Sequence, residues 1–374
     1  MSVLGGAIGY FNGDIRGLAD DIAELKPTVM IGVPRVFTRL YDRVMMTIEQ
    51  KGKVSKWVFK KGYSSKTKIV TKNKESGFWD LLIFKKTKKR LGGKIRLIIS
   101  GSAPLSKEHH NFLRVCFTSA VHQGYGLTET VSNGTIGMYG LLSIGNCGPP
   151  KTTTELKLVD VPEMNYMSEN NVGEIWMRGP AIFKGYYKDE KKTKEVLTED
   201  GWFKTGDIGK INSDGTLSII DRKTNIVKLS NGEFVAIEQL ESYFVQSAMI
   251  SQIWIYTNPF EDFLVAIIVP DFNNLQTETE NEKSQSINQN LELKKIFKKE
   301  LLLLSQQFRL IHFSIPKKIY IEINPFTIES GLLTDTLKYK RKKLYIKYKS
   351  IINNMYKEFK MEKKKLLKKN VKKK

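Results

Sequence analysis

The stretch Ile95-Arg96-Leu97-Ile98-Ile99-Ser100-Gly101-Ser102-Ala103-Pro104-Leu105 decides the fold class. Its first half is a short run rich in strand-forming aliphatic residues, and its second half is a Gly/Ser/Pro cluster that marks a turn. Strand, turn and following helix make a βα unit, the building block of an α/β domain. A second unit lies just downstream, where a short run to His122-Gln123 leads into Gly124-Tyr125-Gly126-Leu127-Thr128-Glu129-Thr130. Two such units in succession predict a parallel sheet. In open parallel sheets ligands sit beyond the carboxyl ends of the strands, which is where both turns fall.

Upstream, residues 14–50 alternate apolar and polar positions at helical spacing, broken by Thr28-Val29-Met30-Ile31-Gly32-Val33 before Pro34. Helix, buried strand, helix is the expected order. Residues 51–94 are rich in Lys and Ser and read as a helical surface insertion. Downstream, from about residue 154, short strands with turn signals predict an antiparallel, barrel-like segment: Leu156–Val159, Gly173–Gly179 and Gly215–Ile220. After Asp221 the pattern is that of a smaller α+β unit, with strands expected at Ile253–Tyr256 and Leu264–Val269. Residues 273–290 are polar and low in complexity, an insertion loop. The expected organisation is a large domain over 1–220, a linker at 221–224, a small domain over 225–357 and a Lys-rich tail over 358–374.

Composition bounds the function. With 41% hydrophobic residues among 374, wholesale disorder is excluded. Two cysteines, Cys116 and Cys147, cannot build a disulfide framework, which points to a reducing compartment. No apolar run approaches the ~18–20 residues needed to cross a bilayer, and the N-terminus lacks a signal-peptide pattern. A soluble, cytoplasmic protein is expected. The net charge of +22 is uneven: residues 337–374 carry 17 Lys+Arg and two acids, +15 of the total. The remainder is only mildly basic, so the overall charge does not by itself imply nucleic acid.

Four constellations could carry chemistry. Gly101-Ser102-Ala103-Pro104 is either an ordinary tight turn or a place where a planar ring or phosphate approaches backbone. Tyr125-Gly126-Leu127-Thr128-Glu129 sets an aromatic plane, a hydroxyl and a carboxylate on one loop. That set could stack a base and hold Mg²⁺, which prefers oxygen ligands, or be a solvated loop with a half-buried tyrosine. Asp207, after Gly206, could accept two hydrogen bonds from a vicinal diol or merely cap a turn. Lys338, after Gly331-Leu332-Leu333-Thr334, is in isolation one lysine in a lysine-rich segment.

In this order and at these spacings, the four resemble the long-chain acyl-CoA synthetases of the adenylate-forming (AMP-binding) superfamily. The strongest segment is Asp200-Gly201-Trp202-Phe203-Lys204-Thr205-Gly206-Asp207-Ile208-Gly209, continued by Ile219-Ile220-Asp221-Arg222-Lys223 and Lys228-Leu229-Ser230-Asn231-Gly232-Glu233-Phe234. Gly13-Asp14-Ile15-Arg16, Val33-Pro34-Arg35, Phe183-Lys184-Gly185-Tyr186 and Gly331–Thr334 support it. The resemblance runs from residue 5 to about 357 and covers roughly the second half of a typical member. It implies the C-terminal part of a large adenylate-forming domain, followed by a smaller α+β domain. It also implies a ligase that joins a fatty acid to coenzyme A through an acyl-adenylate, using ATP and Mg²⁺.

Carried over residue by residue, the resemblance has Gly101, Ser102 and Ala103 facing adenine, with Tyr125 and Gly126 beneath it. Thr128 would bind phosphate oxygen and Glu129 would ligate Mg²⁺. Asp207 and Arg222 would hold the ribose, and Lys338 would reach the α-phosphate and acyl carboxylate. Asp221 and Thr224 would belong to a hinge between domains, with Lys228, Gly232 and Glu233 on the surface that serves coenzyme A. Thr224 departs from the family's usual linker lysine, keeping polarity and losing charge.

The family's Gly/Ser/Thr-rich triphosphate loop is expected upstream of Gly13–Arg16, and these 374 residues hold no such stretch. The chain is then expected to be an incomplete synthetase, or alternatively a non-catalytic relative acting as a binding or scaffold protein. Near the C-terminus, Tyr345, Tyr348, Ile351, Ile352, Met355 and Phe359 recur at helical spacing before clusters of lysine. This predicts either an amphipathic helix for peripheral contact with anionic membranes or a family helix ending in solvated lysines. Nucleic acid is disfavoured as a partner, because no aromatic-basic recognition motif accompanies the lysines.

Overall fold

Two short aliphatic runs and the segment Val121–Tyr125 become the parallel strands that the βα reading requires. The computed structural model describes residues 5–10, 12, 17–71, 77–118, 120–141, 143–272, 275 and 290–371. Gly13–Arg16 and most of the polar insertion therefore lie outside the described residues. The chain divides into two compact units, Met1–Ile219 and Ile220–Lys374.

In the first unit β1 (Val29–Gly32), β2 (Leu97–Ser100) and β3 (Val121–Tyr125) are parallel, and β4 (Thr135–Ile136) pairs antiparallel to β3. Helices α1 (Leu18–Leu25), α2 (Pro34–Gln50), α3 (Lys53–Val70) and α4 (Lys107–Cys116) accompany the sheet. Pro34 opens α2, where its missing N–H costs nothing. Ser106 caps α4, its Oγ accepting from the His109 amide. The core joins Phe37, Phe59, Phe84, Ile98, Phe112 and Leu113.

Two expectations are corrected here. The Lys-rich 51–94 stretch is not a surface insertion: Phe59 and Phe84 are buried in the same core as the sheet. Its lysines hide an apolar helical stripe, and buried Lys66 is itself paired to Asp80 at 2.6 Å. β1, at the edge of the described sheet, is covered on one face only: Met30 is buried, while Ile31, which points to the opposite face, is 69% exposed.

The segment expected to be barrel-like is a four-stranded sheet in the order β5 (Glu155–Val159), β6 (Val172–Arg178), β7 (Phe203–Ile211), β8 (Leu217–Arg222), with β5–β6 and β6–β7 antiparallel. Burial alternates along β6, with Ile175 and Met177 inside, the period-2 pattern of a sheet covered on one face. A short helix, α5 (Glu190–Val196), precedes β7.

The second unit begins with the hairpin β9 (Ile226–Lys228) and β10 (Phe234–Ala236), then α6 (Ile237–Phe244). Its main sheet is β11 (Ile250–Tyr256), β12 (Val265–Pro270) and β13 (Lys318–Ile321). Helices α7 (Leu291–Gln307) and α8 (Arg341–Val371) complete it. β12 is buried on both faces. Ala266 and Ile268 join Phe244, Phe297 and Leu301 on one side, while Val265, Ile267 and Val269 meet Tyr348, Ile352 and Met355 of α8 on the other.

That packing corrects the amphipathic-helix expectation. The apolar stripe of α8 is spent on its own sheet, with Tyr345, Ile351 and Phe359 packed at the margin. The lysines after residue 357 continue the same helix to Val371. Among the described residues, no helix is long and apolar enough to cross a membrane. Cys116 and Cys147 are both free and buried, and burial pushes the Cys147 thiol up to about 12.

Candidate active site

Strand register sets this site. Gly32, Ser100 and Gln123 are level across β1, β2 and β3, so the turns after β2 and β3 emerge side by side. A Cβ on Gly101 would stand 3.9 Å from the Gly124 carbonyl oxygen. Ser102 and Ala103 are exposed, and Ser102 holds φ at 73°, in the left-handed region. A non-glycine residue there costs on the order of 1 kcal/mol or more, and such strain gathers at functional loops.

Tyr125 closes β3 and donates its hydroxyl to Asp207 Oδ2 at 2.7 Å. Asp207 is only 5% exposed. β7 presents it through Gly206, at φ 70°, and its amide donates to Thr205 Oγ1 at 3.1 Å. Gly126 must lack a side chain, since a Cβ would meet the Ser132 backbone at 2.5 Å. This close approach folds the loop into a tight turn over Thr128–Thr130, with Thr128 exposed. Glu129 Oε1 accepts from the Tyr186 hydroxyl at 2.8 Å, and its carbonyl accepts from the Phe183 amide. Lys192 stands 4.7 Å over the Tyr186 ring. Gly101, Ser102, Ala103, Tyr125, Gly126, Thr128, Glu129 and Asp207 thus meet at one end of the first unit.

The other expected residues belong to the second unit. Asp221 is buried at the end of β8. Its Oδ1 accepts from the Arg222 amide at 2.7 Å and its Oδ2 from the Glu238 amide at 2.9 Å, which caps the start of α6. Burial, helped by nearby Glu238, raises its carboxyl to about 6. Arg222 and Thr224 are exposed beside it in sequence. Lys228 sits 5.3 Å over the Phe234 ring across the β9–β10 hairpin. Gly232 and Glu233 form the exposed hairpin tip, where Leu229 N donates to the Glu233 carbonyl. Lys338 is exposed on a tight turn in which its amide donates to Thr334 Oγ1 at 3.0 Å.

Several structural partners were not read from sequence. Tyr186 lay in a matched segment without a role, yet it orients Glu129. Buried Glu241 and partly buried Arg341, 100 positions apart, form a bidentate pair, with Nη2 to Oε2 at 2.6 Å. Burial raises the Glu241 carboxyl to about 7 against the pull of Arg341. No local pattern announces such a pair. Among the described residues no group of three or more Asp, Glu, His or Cys could enclose a metal ion. A magnesium ion held by one carboxylate and substrate phosphates is the arrangement that Glu129 fits.

A parallel βα sheet with a small-residue turn and a Tyr–Asp contact beyond its strand ends, followed by an α+β unit, is the architecture of an adenylation domain. The chain belongs to the AMP-binding enzyme family, whose model matches residues 1–187. It is 43% identical to fatty acyl-CoA synthetase A of Dictyostelium discoideum, over 97% of this chain and 56% of that protein. It is 42% identical to long chain acyl-CoA synthetase 2 of Arabidopsis thaliana, over 95% of this chain and 55% of the relative. The chain therefore spans about half the length of the relatives it matches. Among solved structures, the adenylation domain of the Segniliparus rugosus carboxylic acid reductase, in complex with AMP and a co-purified carboxylic acid, superposes with a TM-score of 0.73. That match has 27% identity and covers 94% of this chain and 50% of the other.

Proposed function

We propose that this chain serves a long-chain fatty acid–CoA ligase. A fatty carboxylate oxygen attacks the α-phosphorus of ATP and expels pyrophosphate. The coenzyme A thiol then attacks the acyl carbon and expels AMP. The hydrogen bond between the Tyr125 hydroxyl and the buried Asp207 carboxylate carries the reading. It joins an aromatic plane for adenine to an acceptor for ribose hydroxyls, beside a turn whose small residues admit a flat ring. The names of the relatives favour ligation over a non-catalytic role.

In this reading Gly101, Ser102 and Ala103 flank the base, and Arg222 assists Asp207 on the ribose. Thr128 offers its hydroxyl to phosphate, and Tyr186 holds the Glu129 carboxylate in one orientation. Magnesium, when bound, would neutralise phosphate charge. Lys338 supplies a fixed cation against the charge that develops at the α-phosphate, and preorganised charge of this kind is usually the largest catalytic term. Asp221 and Thr224 act as the hinge, and Lys228, Gly232 and Glu233 lie on the thiol-transfer surface. The lysines of α8 give electrostatic contact with anionic membranes.

Release of AMP from ATP, Mg²⁺, palmitate and coenzyme A, measured with this chain joined to the upstream half of a relative it matches, tests the reading. Release that needs both palmitate and coenzyme A, and that falls at least about 100-fold in Lys338→Ala, is expected, in line with the loss of one oxyanion-stabilising group. Binding of AMP without any acyl-dependent release would sink it.

A further inference from the structure

We propose that Gln123 is a positioning residue for the nucleotide-facing turn, holding Gly101–Leu105 in place through a single determinate chain of hydrogen bonds. The proposal rests on the reading of that turn as adenine-facing. The turn itself has few ties. Ser102 to Pro104 are exposed, and Ser102 is held in the left-handed region, so something must hold the strained segment from its far end. That end is Leu105, whose amide donates to Gln123 Oε1 at 2.7 Å inside the protein.

Every proton in the chain is assigned by its neighbours. The Leu105 N–H can only donate, so the amide atom facing it is the oxygen of Gln123. The other atom, Nε2, must then donate, and it lies 3.3 Å from His110 Nδ1. That ring nitrogen must accept, which puts the imidazole proton on Nε2. His110 Nε2 in turn lies 2.9 Å from the Val121 carbonyl, which can only accept. The chain runs from the turn to β3, across to α4 and back to β3, and closes with no donor facing a donor. Gln123 is 3% exposed and His110 4%.

Only a neutral His110 satisfies this arrangement, because a proton on Nδ1 would face the Gln123 NH₂. Burial lowers the imidazole to about 4, and the charged or titratable groups that face it, Arg114 and His122, also oppose protonation. The clamp is therefore fixed across neutral pH. Sequence alone hides it: Gln123 reads as the residue before a Gly-Tyr-Gly turn, and His110 as a polar position in a helix.

Two variants in this chain test the clamp. Gln123→Ala removes both contacts, and exchange protection of the Leu105 amide should fall about tenfold or more, the worth of one buried hydrogen bond. Its AMP dissociation constant should rise by a similar factor. Gln123→Glu keeps an acceptor for Leu105 but offers His110 a second carboxylate oxygen, which only a protonated Nδ1 can satisfy. His110, followed by its ring proton resonances, should then titrate above its ordinary value instead of near 4, while AMP affinity at pH 7 stays within about threefold. A role in packing alone would move neither the titration nor its rescue of binding. Unchanged Leu105 protection in Gln123→Ala overturns the clamp whether or not AMP binds, and so does a His110 that still titrates near 4 in Gln123→Glu. A Gln123→Ala chain that loosens Leu105 yet binds AMP normally overturns the positioning role. A wild-type chain that binds no AMP overturns the adenine reading instead, and is distinguished because the Leu105 and His110 readouts need no ligand.

Discussion

A phenol that donates to a carboxylate shut away from water stabilises more than a neutral hydrogen bond does, because the charge has lost its solvation. Tyr125 and Asp207 are such a pair. A double-mutant cycle with Tyr125→Phe and Asp207→Ala, read by urea unfolding, should give a coupling of about 1.5–3 kcal/mol. Additivity within about 0.5 kcal/mol would mean that the contact holds nothing. Both residues were legible in the sequence, since Gly and Thr neighbours mark each position, although the expected turn at Asp207 is strand β7 and Tyr125 closes strand β3. Their pairing was not legible. It spans 82 positions and depends on how β7 bends at Gly206, which only tertiary packing decides. The roles of Gln123 and His110 went unread for the same reason: a buried polar side chain has no local signature, and its partners are distant in sequence.

Elements were easiest to read where apolar period and turn chemistry agreed. The βα units around Ser100 and Gln123, and the strands of the two antiparallel segments, satisfy both. Reading failed where charge covered a stripe, as in α3, whose lysines surround Phe59 and Val70, and in α8, whose apolar face looked free but packs on β12. At the start of α6 two forces compete in a way that measurement can separate. Backbone amides of Arg222, Glu238 and Gln239 favour a charged Asp221, whereas burial and Glu238 disfavour it, and burial wins, raising the carboxyl to about 6. The folded chain then holds this proton more tightly than the unfolded chain does. The contribution of Asp221 to stability is fully present below about pH 4 and is lost as the pH rises through about 6. Glu241 acts in the same direction up to about 7. In Asp221→Asn, the loss of unfolding free energy between pH 4 and pH 6 should shrink by roughly 1–3 kcal/mol relative to the native chain. A larger loss in the variant would show that the amide hydrogen bonds outweigh burial.

Charge is the property that belongs to the molecule as a whole, and it is concentrated at one end of the chain. Residues 337–374 carry +15 of the net +22, while α8, which holds residues 341–371 of that span, has already buried Tyr348, Ile352 and Met355 against its own sheet. A helix whose apolar face is occupied cannot enter the acyl region of a bilayer without unfolding the unit it supports. What remains is attraction between lysines and anionic headgroups, about 1 kcal/mol for each lysine near the surface. Such attraction is screened by salt, with a Debye length of about 3 Å at 1 M. Flotation with vesicles should therefore recover the chain on anionic lipid at low salt, not on neutral lipid, and lose it in 1 M NaCl. Deleting residues 364–374 removes seven lysines and leaves intact the contacts of Phe359 with Phe263 and of Lys363 with Asp262. It should weaken binding without lowering the unfolding midpoint. Retention in 1 M NaCl would require apolar insertion, and that outcome is incompatible with α8 lying packed on β12.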